Sequence, residues 1–371
     1  MTDDIRHMRH ALSLAERGLG RVWPNPAVGC VIVNGTQIVG RGFTQPGGRP
    51  HAETVALAQA GAAARGATAY VTLEPCSHHG KTPPCADGLI AAGVARVVVA
   101  LGDPDPRVNG RGIAALQAAG IKVETGICEA EARAAQVGFL NRVTLGRPMV
   151  TLKMASSLDG RIATASGESQ WITGPPARRL VHAMRARHDA VLVGGGTARA
   201  DNPTLTVRGL GVEHQPLRLV WSRGLNMPLD GNLALGAREV PVWICHGPDV
   251  AADLLRTWQH TGVVLIESAL DASSQLDPAA ALQALGRAGL TRVFCEGGGA
   301  LAAALLKADL VDELIWFSAG LALGAEGRPA LGGLGLNHLS EASRYKLQSC
   351  RAVGEDVLHH WKRADQRQIQ E

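Results

Sequence analysis

Short runs of β-branched and aliphatic residues alternate with helix-length segments along the whole chain, and this alternation restricts the fold more than any other feature. In the first part, residues 4–18 have helical character. Gly29–Val33 and Gln37–Gly40 then flank Asn34-Gly35, and Asn-Gly between apolar runs signals a β-hairpin. A helix is expected over 51–60, a strand over 69–73, a helix over 89–92 and a strand over 96–100. A helix over 112–119, a short strand over 121–123 and a helix over 129–144 follow. Gly and Pro punctuate Leu145-Gly146-Arg147-Pro148, and a new strand opens at Val150. Beyond it, strands are expected over 190–193, 217–220, 242–244, 263–266, 292–295 and 313–317, with helices over 178–187 and 278–288. Elements that alternate in this way bury their apolar faces in layers, so each half is expected to be an α/β domain. At roughly 100–200 residues per domain, the 371 residues fit two, over 1–147 and 148–363, with a polar tail over 364–371 expected to be disordered.

Composition removes several classes of partner. The net charge of +4 is mild, aromatics make up only 4% of the chain, and no dense Lys/Arg stripe is interleaved with aromatic residues. A nucleic-acid groove needs both, so a small ligand, including a small anion, is favoured over nucleic acid. No window approaches the ~20 apolar residues of a membrane span. The seven cysteines are odd in number and scattered from Cys30 to Cys350, which fits a reducing cytoplasm better than a disulfide framework. The polar start, Met1-Thr-Asp-Asp-Ile-Arg6, lacks the pattern of a signal peptide.

One constellation carries chemistry. His51-Ala52-Glu53 opens a helix, and Pro75-Cys76 and Pro84-Cys85 follow. H-x-E…P-C-x-x-C marks zinc nucleobase deaminases; here the cysteines stand farther apart. His51, Cys76 and Cys85 would give zinc one nitrogen and two thiolates, leaving a fourth position for water. Glu53, two residues beyond a ligand, would move protons without occupying the metal. His-x-Glu alone is a weak signal, and cysteines are often merely small buried residues; the set is specific. His78 and His79 lie between the cysteines and compete as ligands. A closed Cys2His2 site would leave no place for water and no hydrolysis.

The chain resembles the bifunctional deaminase/reductase family of riboflavin biosynthesis. The resemblance rests on Pro24-Asn25-Pro26-Ala27-Val28-Gly29, on His51-Ala52-Glu53, and on the long loop Pro75-Cys76-Ser77-His78-His79-Gly80-Lys81-Thr82-Pro83-Pro84-Cys85. It continues through Asp103–Gly112, Lys153-Met-Ala-Ser-Ser-Leu-Asp-Gly160, Ser166-Gly-Glu-Ser-Gln-Trp-Ile-Thr173, Gly195–Arg208 and Glu296–Gly299. It implies a cytidine-deaminase-like α/β/α first domain and a dihydrofolate-reductase-like α/β second domain, Zn2+ and NADPH as cofactors, and a homodimer formed through the second half. The implied substrate is a free pyrimidine ribotide, deaminated by the first domain and then reduced at its ribosyl side chain by the second. The rivals are a nucleic-acid base deaminase with an accessory domain and a non-enzymatic zinc protein that binds a nucleotide.

Gly194–Thr197 and Glu296–Gly299 each follow a strand, and such turns let backbone N–H groups approach phosphates. The resemblance assigns Ala155, Trp171, Thr197, Asp201 and Ser222 to the cofactor, with Gly298 and Gly299. It assigns Ser169, Arg185, Leu205, Arg208 and Glu296 to the substrate of the second domain. Lys153 and Asp201 are candidate acids for opening the sugar. Arg185 and Arg208 offer forks to a phosphate, and Arg223 beside Ser222 is a candidate for the 2′-phosphate of NADPH. Asn25 and Lys81 are the candidate substrate contacts of the first domain. Three positions depart from the family: Thr44 replaces a histidine that contacts substrate there, Ser222 a common Asp, and Gly320 a common Pro.

Overall fold

A computed structural model describes residues 3–78 and 83–364. Lys81, His79 and residues 365–371 of the expected tail lie outside the described residues. The chain divides into two compact units, Met1–Arg147 and Pro148–Glu371.

The first unit runs α1 (Asp3–Ala15), β1 (Gly29–Asn34), β2 (Gln37–Phe43), α2 (Ala52–Ala60), β3 (Thr68–Val71), α3 (Cys85–Ala92), β4 (Arg96–Val99), α4 (Arg111–Ala118), β5 (Lys122–Thr125) and α5 (Glu129–Leu145). Its sheet has the order β2-β1-β3-β4-β5. The hairpin strands and the β1–β3 pair are antiparallel; β3, β4 and β5 are parallel. Gly29 of β1 abuts Ala11 of α1, and Gly42 of β2 abuts Ala52 of α2. Gly42 pairs with Cys30, the neighbour of Gly29, so successive residues place α1 and α2 on opposite faces of the sheet. The result is an α/β/α sandwich over one core that includes Met8, Val31, Ile32, Val71, Leu89 and Val98. The hairpin turn falls on Gly35 and Thr36, one residue later than an Asn34-Gly35 centre, because Asn34 still pairs with Gln37.

The second unit runs β6 (Met149–Ser157), β7 (Arg161–Ala163), α6 (Pro175–Arg185), β8 (Ala190–Gly194), α7 (Gly195–Asp201), β9 (Leu217–Trp221), α8 (Asn232–Leu235), β10 (Val242–His246), α9 (Ala252–His260) and β11 (Val264–Glu267). It continues with α10 (Pro278–Arg287), β12 (Arg292–Cys295), α11 (Gly299–Lys307), β13 (Glu313–Ala319), β14 (Arg328–Pro329), β15 (Tyr345–Val353) and β16 (Asp356–Arg363). Nine strands form one sheet, β11-β10-β9-β8-β12-β6-β13-β16-β15. The first seven in that order are parallel, whereas β16 and β15 are antiparallel additions at one edge. Parallel strands covered on both faces read as continuous apolar runs, as in Ala190–Val193, all buried. Ligands of such sheets gather beyond the carboxyl ends of the strands. Both Gly-rich turns lie there, at the ends of β8 and β12.

Candidate functional site

The first unit places its chemistry at the start of two helices on one face. His51 is the extended residue just before α2, and Glu53 sits in that helix's first turn. Cys76 lies in the loop after β3, and Cys85 is the first residue of α3, with Pro84 preceding it. The helix thus begins four residues earlier than the apolar run at Leu89 predicts, and this brings Cys85 back to Cys76.

His51 Nδ1 lies 3.3 Å from Cys85 Sγ and 3.6 Å from Cys76 Sγ. Among the described residues these three form one group whose donor atoms all fall within 4.8 Å of one another. The Cys85 backbone N–H donates to Cys76 Sγ at 3.3 Å, which supports a thiolate there. Contact with Cys85 and His51 holds Cys76 down, to about 4, while Cys76 and burial push Cys85 up. One soft, already favoured thiolate, a second thiol and an imidazole suit zinc. His78 is not part of the group; its Nδ1 is buried in the site without a hydrogen-bond partner among the described residues.

His51, Glu53 and Cys76 open onto a cavity of about 220 Å³. Glu53 is 3% exposed, and burial, followed by the Cys76 thiolate, pushes its carboxyl up to about 7. A carboxyl with that value can both take and return a proton near neutrality. Asn25 also lines the cavity. It reaches inward because residue 48 is glycine: a Cβ there would stand 1.9 Å from Asn25 Nδ2, and Gly48 has φ +83°. Thr44 faces the same space, but its Oγ1 accepts from the Val28 N–H at 3.0 Å and so ties down the stretch that carries Asn25.

Sequence reasoning missed Glu74. Its buried carboxylate accepts from four backbone N–H groups: Asp103 and Gly110 on Oε2 at 3.3 and 3.0 Å, Gly112 and Ile113 on Oε1 at 2.9 and 3.3 Å. The last three are at the start of α4, whose N-cap, Gly110, has no side chain to supply. Glu74 therefore caps α4 directly and, through Asp103, holds the stretch that lines the cavity with Asp103, Asp105 and Arg107. Its position immediately before Pro75-Cys76 was the available signal. Arg49 and Arg142 also line the cavity and were not singled out from the sequence.

In the second unit, Lys153 of β6, Glu296 beyond β12 and Arg185 at the end of α6 come together. Arg185 donates from Nε and Nη2 to both oxygens of Glu296, at 2.5 and 3.1 Å, and from Nη1 to the Thr206 carbonyl at 2.9 Å. Burial depresses the Lys153 ammonium; the Glu296 carboxyl, despite burial, is held low by Arg185 and Lys153. Arg185 is thus engaged with Glu296 rather than presented as a free fork. The two Gly-rich turns meet where Thr197 Oγ1 accepts from the Gly298 N–H at 3.3 Å. Ser222 lies against Gly195. Leu205 is buried with φ +56°, and Asp201 ends α7 at an exposed position. Ala155 is partly buried in β6 and Ser169 lies in the loop before α6. Arg208 is exposed and donates to Thr204 Oγ1, and Arg223 donates to the Ser274 carbonyl at 2.8 Å; neither joins the Lys153 cluster through a hydrogen bond. His182, also not anticipated, contacts the Thr206 carbonyl through Nδ1 at 3.1 Å, next to Arg185.

Residues 1–101 match the cytidine and deoxycytidylate deaminase zinc-binding region, and residues 148–359 match the RibD C-terminal domain. The riboflavin biosynthesis protein RibD of Escherichia coli (strain K12) is 44% identical, over 96% of this chain and 98% of the relative. An Acinetobacter baumannii RibD structure superposes with a TM-score of 0.87 at 40% identity, covering 98% of this chain and 99% of that one. A deaminase/reductase structure from Thermotoga maritima, described as a diaminohydroxyphosphoribosylaminopyrimidine deaminase/5-amino-6-(5-phosphoribosylamino)uracil reductase, gives 0.84 at 34% identity, with 97% and 99% covered. Two α/β units, one built around a zinc-binding deaminase region and one a reductase domain, match these relatives from end to end: the chain belongs to the RibD family of bifunctional riboflavin biosynthesis enzymes.

Proposed function

We propose that the first unit hydrolyses the 2-amino group of 2,5-diamino-6-ribosylamino-4(3H)-pyrimidinone 5′-phosphate, and that the second reduces the ribosyl side chain of the product with NADPH to give 5-amino-6-ribitylaminouracil 5′-phosphate. The observation that carries the reading is the convergence of His51 Nδ1, Cys76 Sγ and Cys85 Sγ beside a buried Glu53 on a cavity wall. These three atoms hold zinc, which when bound supplies a water with its pKa lowered to about 7. Glu53 takes the proton of that water, delivers it to the ring nitrogen, and then moves a proton to the departing amine. Asn25 orients the pyrimidine, with Lys81 on the substrate phosphate or the ring carbonyl. Among the described residues His78 stays outside the three-residue group, which favours the open site over a closed one completed by His78.

In the second unit, Thr197, Gly298 and Gly299 approach the pyrophosphate of NADPH at the start of α11, with Ala155, Trp171, Asp201 and Ser222 along the cofactor. The bound nicotinamide supplies the hydride. Lys153, with its depressed ammonium, moves a proton at the sugar as it opens, and Asp201 is the second acid. Glu296, Ser169, Leu205 and Arg208 hold the ribotide, and Arg185 fixes Glu296. Strand β15 is an edge strand exposed over most of its length. Edges of that kind pair with other chains, which supports a homodimer through this half. Retained free thiols support a cytoplasmic setting.

One assay tests the whole reading: the diaminopyrimidine ribotide is supplied with NADPH, and ammonia release and NADPH oxidation are followed together. Both signals are expected, ammonia first. Silence in both channels overturns it. A requirement for nucleic acid, or bound zinc without ammonia release, would instead favour the rivals.

A further inference from the structure

The carboxylate of Asp356 is 4% exposed, although it stands at the tip of a hairpin whose outer strand, β15, is open to solvent. Its Oδ2 accepts from the Gly174 N–H at 2.8 Å. Gly174 is the residue before α6, and the next two residues, Pro175 and Pro176, have no N–H to offer. Asp356 thus takes the donor at the head of a helix, where a negative charge is also favoured by the helix dipole.

The same tip is fitted to this helix. Gly354 has φ +65°, and a Cβ there would lie 2.9 Å from Pro176 Cγ. Val353 packs on the apolar cluster of Ala177, Val181, Phe317 and Leu358, which Ala155 of β6 also touches. On the other side of Gly174 lies the segment bearing Ser169 and Trp171. Arg178 of α6 donates to the Thr173 carbonyl at 2.6 Å and stacks its guanidinium over the Trp171 ring, 4.5 Å from the centroid. Trp171 itself is 66% exposed, so this stack and the anchored backbone at Thr173 and Gly174 hold it in place. The segment precedes a helix that leads into β8, and therefore lies at the carboxyl edge of the sheet, with both Gly-rich turns.

We propose that Asp356 is a positioning residue for the reductase: by gripping Gly174 it holds the Trp171 segment in the place where the nicotinamide cofactor binds. The inference rests on the reading above that Trp171 contacts the cofactor. It adds a link from the C-terminal hairpin, more than 180 residues away in sequence, to cofactor affinity.

The test uses the full-length enzyme with the deaminated ribotide and varied NADPH. Asp356→Ala is expected to raise the KM for NADPH by about tenfold, the scale of one lost hydrogen bond to a charged group, while kcat changes less than about threefold. Asp356→Asn keeps an acceptor oxygen and is expected to recover most of that loss. Gly354→Ala keeps the carboxylate but crowds Pro176; it is expected to raise KM with kcat retained, and it stands in for Asp356→Ala if that variant does not fold. Trp171→Ala separates the two layers of the argument. If it leaves the KM for NADPH unchanged, the reading of Trp171 falls and the proposal with it. If it raises KM while both hairpin variants leave KM unchanged, the reading survives and the proposal is overturned. A fall in kcat at constant KM, not restored by Asn, would mean general loosening and would also overturn it.

Discussion

Removing half of the Glu74 cap should weaken the deaminase unit specifically. In Glu74→Gln one oxygen remains and the other becomes an amide nitrogen, which cannot accept. If the oxygen keeps Gly112 and Ile113, the nitrogen faces the N–H groups of Asp103 and Gly110, donor against donor. Hydrogen bonds to a charged acceptor contribute about 1.5–3 kcal/mol each, but of the two lost the one to Asp103 is long, at 3.3 Å, against 3.0 Å to Gly110. The expected loss is therefore about 2–4 kcal/mol. With a urea m-value of about 2 kcal/mol/M, the midpoint should fall by about 1–2 M. The assay is urea inactivation followed through ammonia release and through NADPH oxidation on preformed deaminated ribotide, in parallel. Because Glu74 and its four partners all lie within Met1–Arg147, only the first curve should move. A midpoint shift below about 0.2 M, or equal shifts in both curves, would refute the capping argument.

Three further outcomes follow from the geometry. Cys85→Ser should lower bound zinc, measured by metal analysis, and abolish ammonia release by at least about 100-fold, whereas NADPH oxidation on preformed deaminated ribotide should stay within about twofold; loss of both activities would contradict separate sites. Arg185→Ala leaves the Glu296 carboxylate buried without its bidentate partner, so it should destabilise the reductase unit by about 3–5 kcal/mol in chemical unfolding and suppress reduction; a loss under about 1 kcal/mol would show that the pair is effectively solvated. His188 is buried, with Nδ1 on the Met184 carbonyl and Nε2 on Thr151 Oγ1, and burial holds its imidazole down to about 3. The unfolded chain then binds a proton that the folded one refuses. Stability from this group is complete above pH ~6.5 and falls as pH drops from there toward 3, by up to about 1.4 kcal/mol per unit; His188→Gln should flatten that part of the pH profile of unfolding.

The parts of this structure legible in the sequence were those with a local signature. The buried parallel strands are short runs of Val, Leu, Ile and Ala, and the Pro-Cys pairs point to the two cysteines that converge with His51. The β15–β16 hairpin escaped because Tyr345–Val353 is exposed on both faces for most of its length, so no period-two alternation betrays it. The early start of α3 at Cys85 was hidden because Pro84 and Cys85 read as part of a loop motif, although Pro at a helix entry is well tolerated. Asp356 was hidden for another reason, and Glu74 was marked only by its place before Pro75-Cys76. Each is a single acidic residue whose partners are backbone groups far along the chain, and no spacing rule reports such a pairing.

The hydrogen bond from Gly298 to Thr197 closes a cradle from turns about a hundred residues apart, and the strand that delivers Gly298, β12, is inserted between β8 and β6 in the middle of the sheet. The pairing of these two turns therefore depends on a late strand entering between two early ones. During synthesis the deaminase unit has all of its cavity wall once residue 147 has emerged, whereas the second unit must wait with the edges of β6 and β8 unpaired until β12 arrives. Long-range pairing of that kind is slow and leaves strand edges open meanwhile. A growing chain would thus acquire its two activities in the order in which they are used, with a vulnerable interval between them.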